Sequence, residues 1–139
     1  MCKSIHRLVK ANLAYNGASY SGWQIQDHEL TIQSVVEKAL FKIHHHAIRV
    51  FAASRTDRGV HAQGQVIHFQ SDSHLSDSRL KRAFNFHLPS NVCVVLLRTL
   101  RGPFHARFDA KSKFYRYVIY TGKMKPIFKE PFVAWRPYP

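Results

Sequence analysis

The sequence predicts an α+β domain of ferredoxin-like plan, β-α-β-β-α-β with one additional strand. In that plan an antiparallel sheet carries two helices on one face. Three observations lead there. Several short segments alternate apolar and polar residues with period two. Two longer segments place apolar residues on one helical stripe, each behind a capping residue. The turn-forming residues fall between these segments and not inside them.

Arg7 to Tyr15 sets Val9, Ala11, Leu13 and Tyr15 on one face and reads as the first strand. Asn16-Gly17-Ala18-Ser19 breaks it, and Tyr20 to Gln26 follows as an ordered loop. Thr31 to His46 carries Ile32, Val35, Val36, Ala39, Leu40 and Ile43 on one stripe, with Thr31 as N-cap. Ile48 to Ala53 predicts a short second strand and Gln65 to Gln70 a third. Ser76-Asp77-Ser78 caps a second helix whose inward positions are Leu80, Ala83 and Phe84, and Leu88-Pro89-Ser90 stops it. Val92 to Leu97 is nearly continuous in apolar residues, the pattern of a strand buried on both faces, with Cys93 as a small buried hydrophobe. Lys113 to Tyr120 alternates again and supplies the additional strand.

The chain has 139 residues, enough for one domain with a core. Its balance of 21 Lys and Arg against 8 Asp and Glu gives a formal net charge of +13. So basic a surface points to a polyanionic partner, nucleic acid or an acidic membrane. No apolar run approaches the roughly 18 residues a bilayer span needs, and no apolar signal core follows the basic start Met1 to Arg7. Two lone cysteines, Cys2 and Cys93, make no disulfide framework, so a reducing, cytoplasmic setting fits. Three consecutive helical residues, His44-His45-His46, point about 100° apart and cannot share one ion. No metal site is expected, and a basic helix end that suits the helix dipole is the better account.

Ser54-Arg55-Thr56-Asp57-Arg58-Gly59-Val60-His61 is the segment that carries chemistry. It puts the carboxylate of Asp57 between the guanidiniums of Arg55 and Arg58, beside a glycine that permits a tight turn. Apolar residues lead in and an alternating run leads out, so Asp57 belongs on a loop between two strands. Positive neighbours favour the ionised form of a carboxylate, the form that acts as a nucleophile.

This segment, continued through Ala62, Gly64, Gln65 and Val66, resembles the signature of the TruA-type tRNA pseudouridine synthases, with Ser54 in place of the usual glycine and Arg58 in place of alanine. Two further segments fit the same family in the same order. Tyr15-Asn16-Gly17 through Tyr20, Gly22, Trp23, Gln24 and Gln26 resembles its first loop, with Asn16 in place of aspartate. Phe104-His105-Ala106-Arg107 through Tyr115-Arg116-Tyr117 resembles its later motif, with the spacing intact. Asn85-Phe86-His87-Leu88-Pro89 matches a short helix-ending motif. The resemblance implies Asp57 as nucleophile and Tyr115 as the aromatic that packs on the target base. It implies a uridine isomerised to pseudouridine in the anticodon stem-loop of tRNA, without a cofactor, by a homodimeric enzyme. Arg55 is the third catalytic candidate, placed to fill the space the flipped base vacates and to pair with phosphate or with Asp57.

For RNA binding the residues are Arg58, Tyr20, Trp23, Gln24, His105 and Arg107: aromatics and amides for unpaired bases, cations for phosphates. Tyr20 and Trp23 serve equally well as core anchors of their loop. Tyr117 is expected in the core. Family members are roughly twice this length, so residues 1–125 are expected to form the catalytic and RNA-binding domain. Residues 126–139, with four prolines, then lead towards a second half. The alternative is a module that binds structured RNA without turning it over, because the second half completes the cleft. An RRM is disfavoured, since Lys113 to Tyr117 lacks the glycines of an RNP motif.

Overall fold

The computed structural model describes residues 5–138 of the chain, so Cys2 lies outside the described residues. The main elements are β1 (Arg7–Tyr15), α1 (Ile32–His44), β2 (Phe51–Ala52), β3 (Ala62–Ser71), α2 (Asp77–His87) and β4 (Val92–Leu100). A turn of 3-10 helix, Gly17–Ser19, follows β1. The sheet runs β2-β3-β1-β4, and every neighbouring pair is antiparallel. This is the predicted α+β architecture.

The central strand shows why the sheet has a wet and a dry face. Val9, Ala11, Leu13 and Tyr15 of β1 are buried, whereas Leu8, Lys10, Asn12 and Ala14 are only half-buried. The buried set meets Ile32, Val36, Ala39 and Leu40 of α1 and Leu80 and Phe84 of α2 in one core. Burying a large apolar side chain of this kind contributes about 1.5–3 kcal/mol. Thr31 and Ser34 form a reciprocal capping box at the start of α1. Asn85 of α2 ties the helix to β4, donating to the Val94 carbonyl at 3.0 Å and accepting from the Val94 N–H at 2.7 Å.

Asp77, in the first turn of α2, fastens the other end of the helix. Its carboxylate accepts the backbone N–H of Thr99 at 2.8 Å and the Thr99 hydroxyl at 2.7 Å, with the Arg7 guanidinium 3.6 Å away. Burial pushes this carboxyl up, but the Thr99 bonds and Arg7 outweigh it and hold its pKa below the usual aspartate value. A depressed folded-state pKa stabilises above the unfolded value, and the contribution fades as pH falls through the folded one. Asp77→Asn should therefore lower the urea midpoint at neutral pH. It should also reduce the loss of stability below about pH 4, the ordinary aspartate range. An unchanged acid dependence in the variant would contradict this.

Four sequence expectations need correction. Residues 48–53 pair only at Phe51 and Ala52, although Ile48 and Val50 are buried. β4 is not buried on both faces: it is an edge strand joined to β1 alone, and Cys93, Val95 and Leu96 are exposed. Apolar content alone cannot distinguish a central strand from an edge whose outer face lacks a covering layer. The alternation of Lys113 to Tyr120 produces only β5 (Ile119–Tyr120), which pairs in parallel with β6 (Ala134–Trp135) apart from the main sheet. Tyr117 is 93% exposed and forms no part of the core, since its segment finds no layer to bury against.

The three histidines diverge. His44 is buried, bonded to the Leu40 carbonyl and the Ser71 hydroxyl. His45 is the left-handed C-cap of α1, and His46 pairs with Asp72 at 2.8 Å.

Candidate active site

Two loops meet at the end of the sheet where β1 stops. The first, Asn16 to Gln26, is pinned by its own aromatics: Tyr20 is 4% exposed and Trp23 2%, and the Tyr20 hydroxyl donates to Asn91. These two rings are core anchors, which corrects the expectation that they face RNA bases. The second loop, Ser54 to His61, lies along the first. Trp23 N–H donates to the Thr56 carbonyl at 2.9 Å, and Gly59 N–H donates to the Tyr20 carbonyl at 3.3 Å. The Asp57 carbonyl closes a turn by accepting from Val60 N–H at 3.1 Å, and Gly59 sits in that turn at φ +77°. Gly22, at φ +83°, lets the two backbones touch: a Cβ there would lie 2.8 Å from the Thr56 carbonyl oxygen.

Side chains beneath the second loop fix it further. Gln65 of β3 grips Ser54 on both sides, donating to its carbonyl at 2.6 Å and accepting from its N–H at 3.3 Å. The same amide donates to the Tyr15 hydroxyl at 3.3 Å, and that hydroxyl lies 2.8 Å from the Thr56 hydroxyl. Burial raises the pKa of the Tyr15 phenol, against the opposing pull of its bonds to Thr56 and Gln65. Tyr15 thus stays a neutral hydrogen-bonding post. Tyr15 and Gln65 organise the site, a role absent from the sequence expectations. The available signal was their place at the ends of the two loop motifs, on strand positions that face inward.

Asp57 projects from this fastened loop into a shallow cleft of about 220 Å³, lined also by Ser21, Gln24, Gln26, Arg55 and Arg58. Its carboxylate has no hydrogen-bond or ion-pair partner among the described residues. The expected sandwich between two guanidiniums is therefore a shared cleft and not a salt bridge. Arg58 turns to Glu29 at 3.4 Å, and Glu29 also accepts the Ser21 hydroxyl. Tyr115 comes to the same loop from far along the chain. Its hydroxyl lies 3.2 Å from that of Ser54, the residue that replaces the usual glycine, and its ring is 67% exposed.

The cleft therefore gathers Asp57, Arg55, Arg58 and Gln24, while Tyr115 meets the same loop at Ser54. It does not gather His105 and Arg107, which lie on a turn folded over β3, where Ala106 N–H donates to His68. His61 links three segments: its Nδ1 accepts from Gly17 N–H at 2.9 Å and its Nε2 donates to the Pro131 carbonyl at 3.0 Å. Among the described residues no three His, Cys, Asp or Glu cluster as a metal site would. The chemistry on offer is that of an unencumbered carboxylate on a fixed loop, with cations beside it and a phenol within reach. An exposed carboxylate of this kind is accessible to a molecule presented from outside.

A family model described as tRNA pseudouridine synthase matches residues 11–109. The chain is 42% identical over 131 residues to the tRNA pseudouridine synthase A of Geobacillus kaustophilus, covering 94% of this chain and 51% of that protein. It is 39% identical over 118 residues to the enzyme of the same name from Psychromonas ingrahamii, covering 85% and 45%. It is 44% identical over 113 residues to that of Onion yellows phytoplasma, covering 81% and 46%. The chain thus spans about half the length of the curated relatives it matches.

Proposed function

Because the chain belongs to the tRNA pseudouridine synthase family and corresponds to the N-terminal portion of its relatives, we propose that it isomerises uridine to pseudouridine in the anticodon stem-loop of tRNA, with Asp57 as the nucleophile. The observation that carries this reading is the Asp57 carboxylate: partnerless, on a loop bonded along its length, in a cleft with Arg55 and Arg58. The reaction balances without a cofactor. The bond from the ribose C1′ to N1 of uracil breaks, and a bond from C1′ to C5 forms. The C5 proton leaves and N1 takes one up. Aspartate adds and is released, so it is regenerated. Arg55, whose guanidinium is free of ion pairs among the described residues, takes a phosphate of the flipped-out nucleotide. The net charge of +13 draws in the tRNA backbone with little regard for sequence.

The relatives' greater length supports a further part of the proposal: residues 1–125 act as the catalytic and RNA-binding domain, and residues 126–139 lead towards a second half. The resemblance to the family is the ground for proposing a cytoplasmic homodimer.

Tyr115 packs on the target base and its hydroxyl moves a proton. Tyr115→Phe should keep tRNA affinity and lose pseudouridine formation by about 100-fold or more, the usual worth of a positioned acid or base. Tyr115→Leu should lose affinity as well. Two variants that both behave as wild type would remove Tyr115 from the site.

A second reading has one observation in its favour: Asp57, Arg55 and Tyr115 are all exposed in a chain of half the relatives' length. On that reading the chain binds structured RNA without turnover. Measuring product and binding on the same tRNA separates the two, because a pure binding module saturates with RNA and forms no pseudouridine.

A further inference from the structure

The sheet face away from the helices carries a row of stacked rings that the Asp57 cleft does not use. Strand register places Lys10, His68 and Phe51 abreast on that face. Phe51 stacks on His68 with ring centroids 5.0 Å apart and planes 12° from parallel. His105, from the turn folded over β3, meets His68 at 4.6 Å and Phe108 at 4.2 Å. The middle of the row is locked. His68 Nδ1 accepts the N–H of Ala106 at 3.0 Å, and burial, then His105, hold the His68 pKa below that of an ordinary imidazole. His105 Nδ1 accepts the N–H groups of Arg107 and Phe108.

Both ends of the row are open. Phe51 is 38% exposed and Phe108 77%. Each end also has a guanidinium over its ring, Arg49 at 5.4 Å from Phe51 and Arg107 at 5.9 Å from Phe108. A groove of about 380 Å³ opens beside Phe51, between Arg49 and the His46–Asp72 pair. The two nearby carboxylates are already committed, Asp72 to His46 and Asp109 to the backbone N–H of His105 at 2.7 Å.

We propose that this row is a docking surface for the unpaired bases of an RNA, one base stacking on Phe51 and another on Phe108, with Arg49 and Arg107 on the adjoining phosphates. Flat apolar rings held rigid at solvent-exposed ends, each next to a cation, match a polyanion with exposed planar bases. Arg49 and Arg107 at its two ends favour that occupant at this face over a second copy of the same face, which would bring like charge against like. Only the choice of RNA as the polyanion rests on the proposed function. The surface is separate from the Asp57 cleft.

The test uses the chain itself with three probes: a hairpin with a loop of unpaired uridines, a fully paired RNA duplex of equal charge, and heparin. The double variant Phe51→Ala/Phe108→Ala should bind the hairpin about tenfold more weakly or worse. Its affinity for duplex and heparin should not change. Phe51→Tyr/Phe108→Tyr, which keeps the rings, should bind the hairpin as wild type does. A loss shared equally by all three probes, or no loss on the hairpin, overturns the proposal. So does sedimentation showing a wild-type dimer that the alanine pair dissociates, because a second copy would then be the occupant. Neither substituted ring lines the Asp57 cleft. A failure here therefore does not touch the catalytic reading, which is judged on pseudouridine formation.

Discussion

Asp57→Asn and Asp57→Ala are expected to abolish pseudouridine formation, by at least about 10⁴-fold, the scale on which removal of a reacting side chain is felt. The substitution is unusually clean. The Asp57 side chain is exposed and has no described partner to lose, and its loop is held by backbone bonds from Trp23 and Gly59 that neither variant disturbs. Folding stability should thus stay within about 0.5 kcal/mol of wild type, as for other exposed sites without contacts. Affinity for tRNA should also hold, since removing a negative charge from a basic surface does not weaken its grip on a polyanion. Chromatography of the nucleosides after digestion of the treated tRNA gives the product yield. Turnover retained in either variant would remove Asp57 as the nucleophile. Lost turnover accompanied by lost folding would show the loop to be more fragile than its bonds imply.

Gly17→Ala is expected to have the next largest effect, although Gly17 takes no part in the chemistry. A Cβ at this position would sit 2.0 Å from the Val60 carbonyl oxygen and 2.7 Å from its carbon. Both are backbone atoms of the loop that carries Asp57, so no side chain can swing away to make room. The loop itself must retreat, and with it the bond from Gly17 N–H to His61 Nδ1. Forced overpacking of this kind costs about 1–3 kcal/mol. Because the displaced atoms belong to the loop that carries Asp57, the proposed pseudouridine formation should fall further than the loss of stability accounts for, even where the variant remains folded by circular dichroism. A variant that loses stability and keeps full activity would mean that the two loops are not coupled.

Much of this arrangement was legible in the residues. The alternation of Arg7 to Tyr15 and the stripes behind Thr31 and Ser76 reach the right elements because each apolar set faces one shared core. The loop position of Asp57 followed from the apolar run before it and the alternating run after it. What remained hidden depended on neighbours distant in sequence. Val92 to Leu97 reads as a strand buried on both faces and Lys113 to Tyr120 as an additional strand, yet the first is an edge and the second lacks a partner over most of its length. A strand's surroundings are set by the layers that cover it, not by its own pattern. The sequence sets Arg55 and Arg58 beside Asp57, but only the fold brings up Glu29, in the neighbouring loop, which takes Arg58. The organising role of Tyr15 and Gln65 appears only when three segments converge on Ser54 and Thr56. The ring row from Phe51 to Phe108 joins residues from β2, β3 and a later turn, and no single segment announces it.

The most direct test of the proposed activity follows the hydrogen on C5 of uridine. Isomerisation replaces the C5–H bond with a C–C bond to the ribose, so tritium placed at C5 of the tRNA's uridines must pass to water each time a pseudouridine forms. Wild-type chain, at concentrations that saturate tRNA binding, is predicted to release tritium in step with pseudouridine appearing in the anticodon stem-loop, and the Asp57→Asn variant to release none. Saturated binding without release would contradict the account and leave an RNA-binding module in its place.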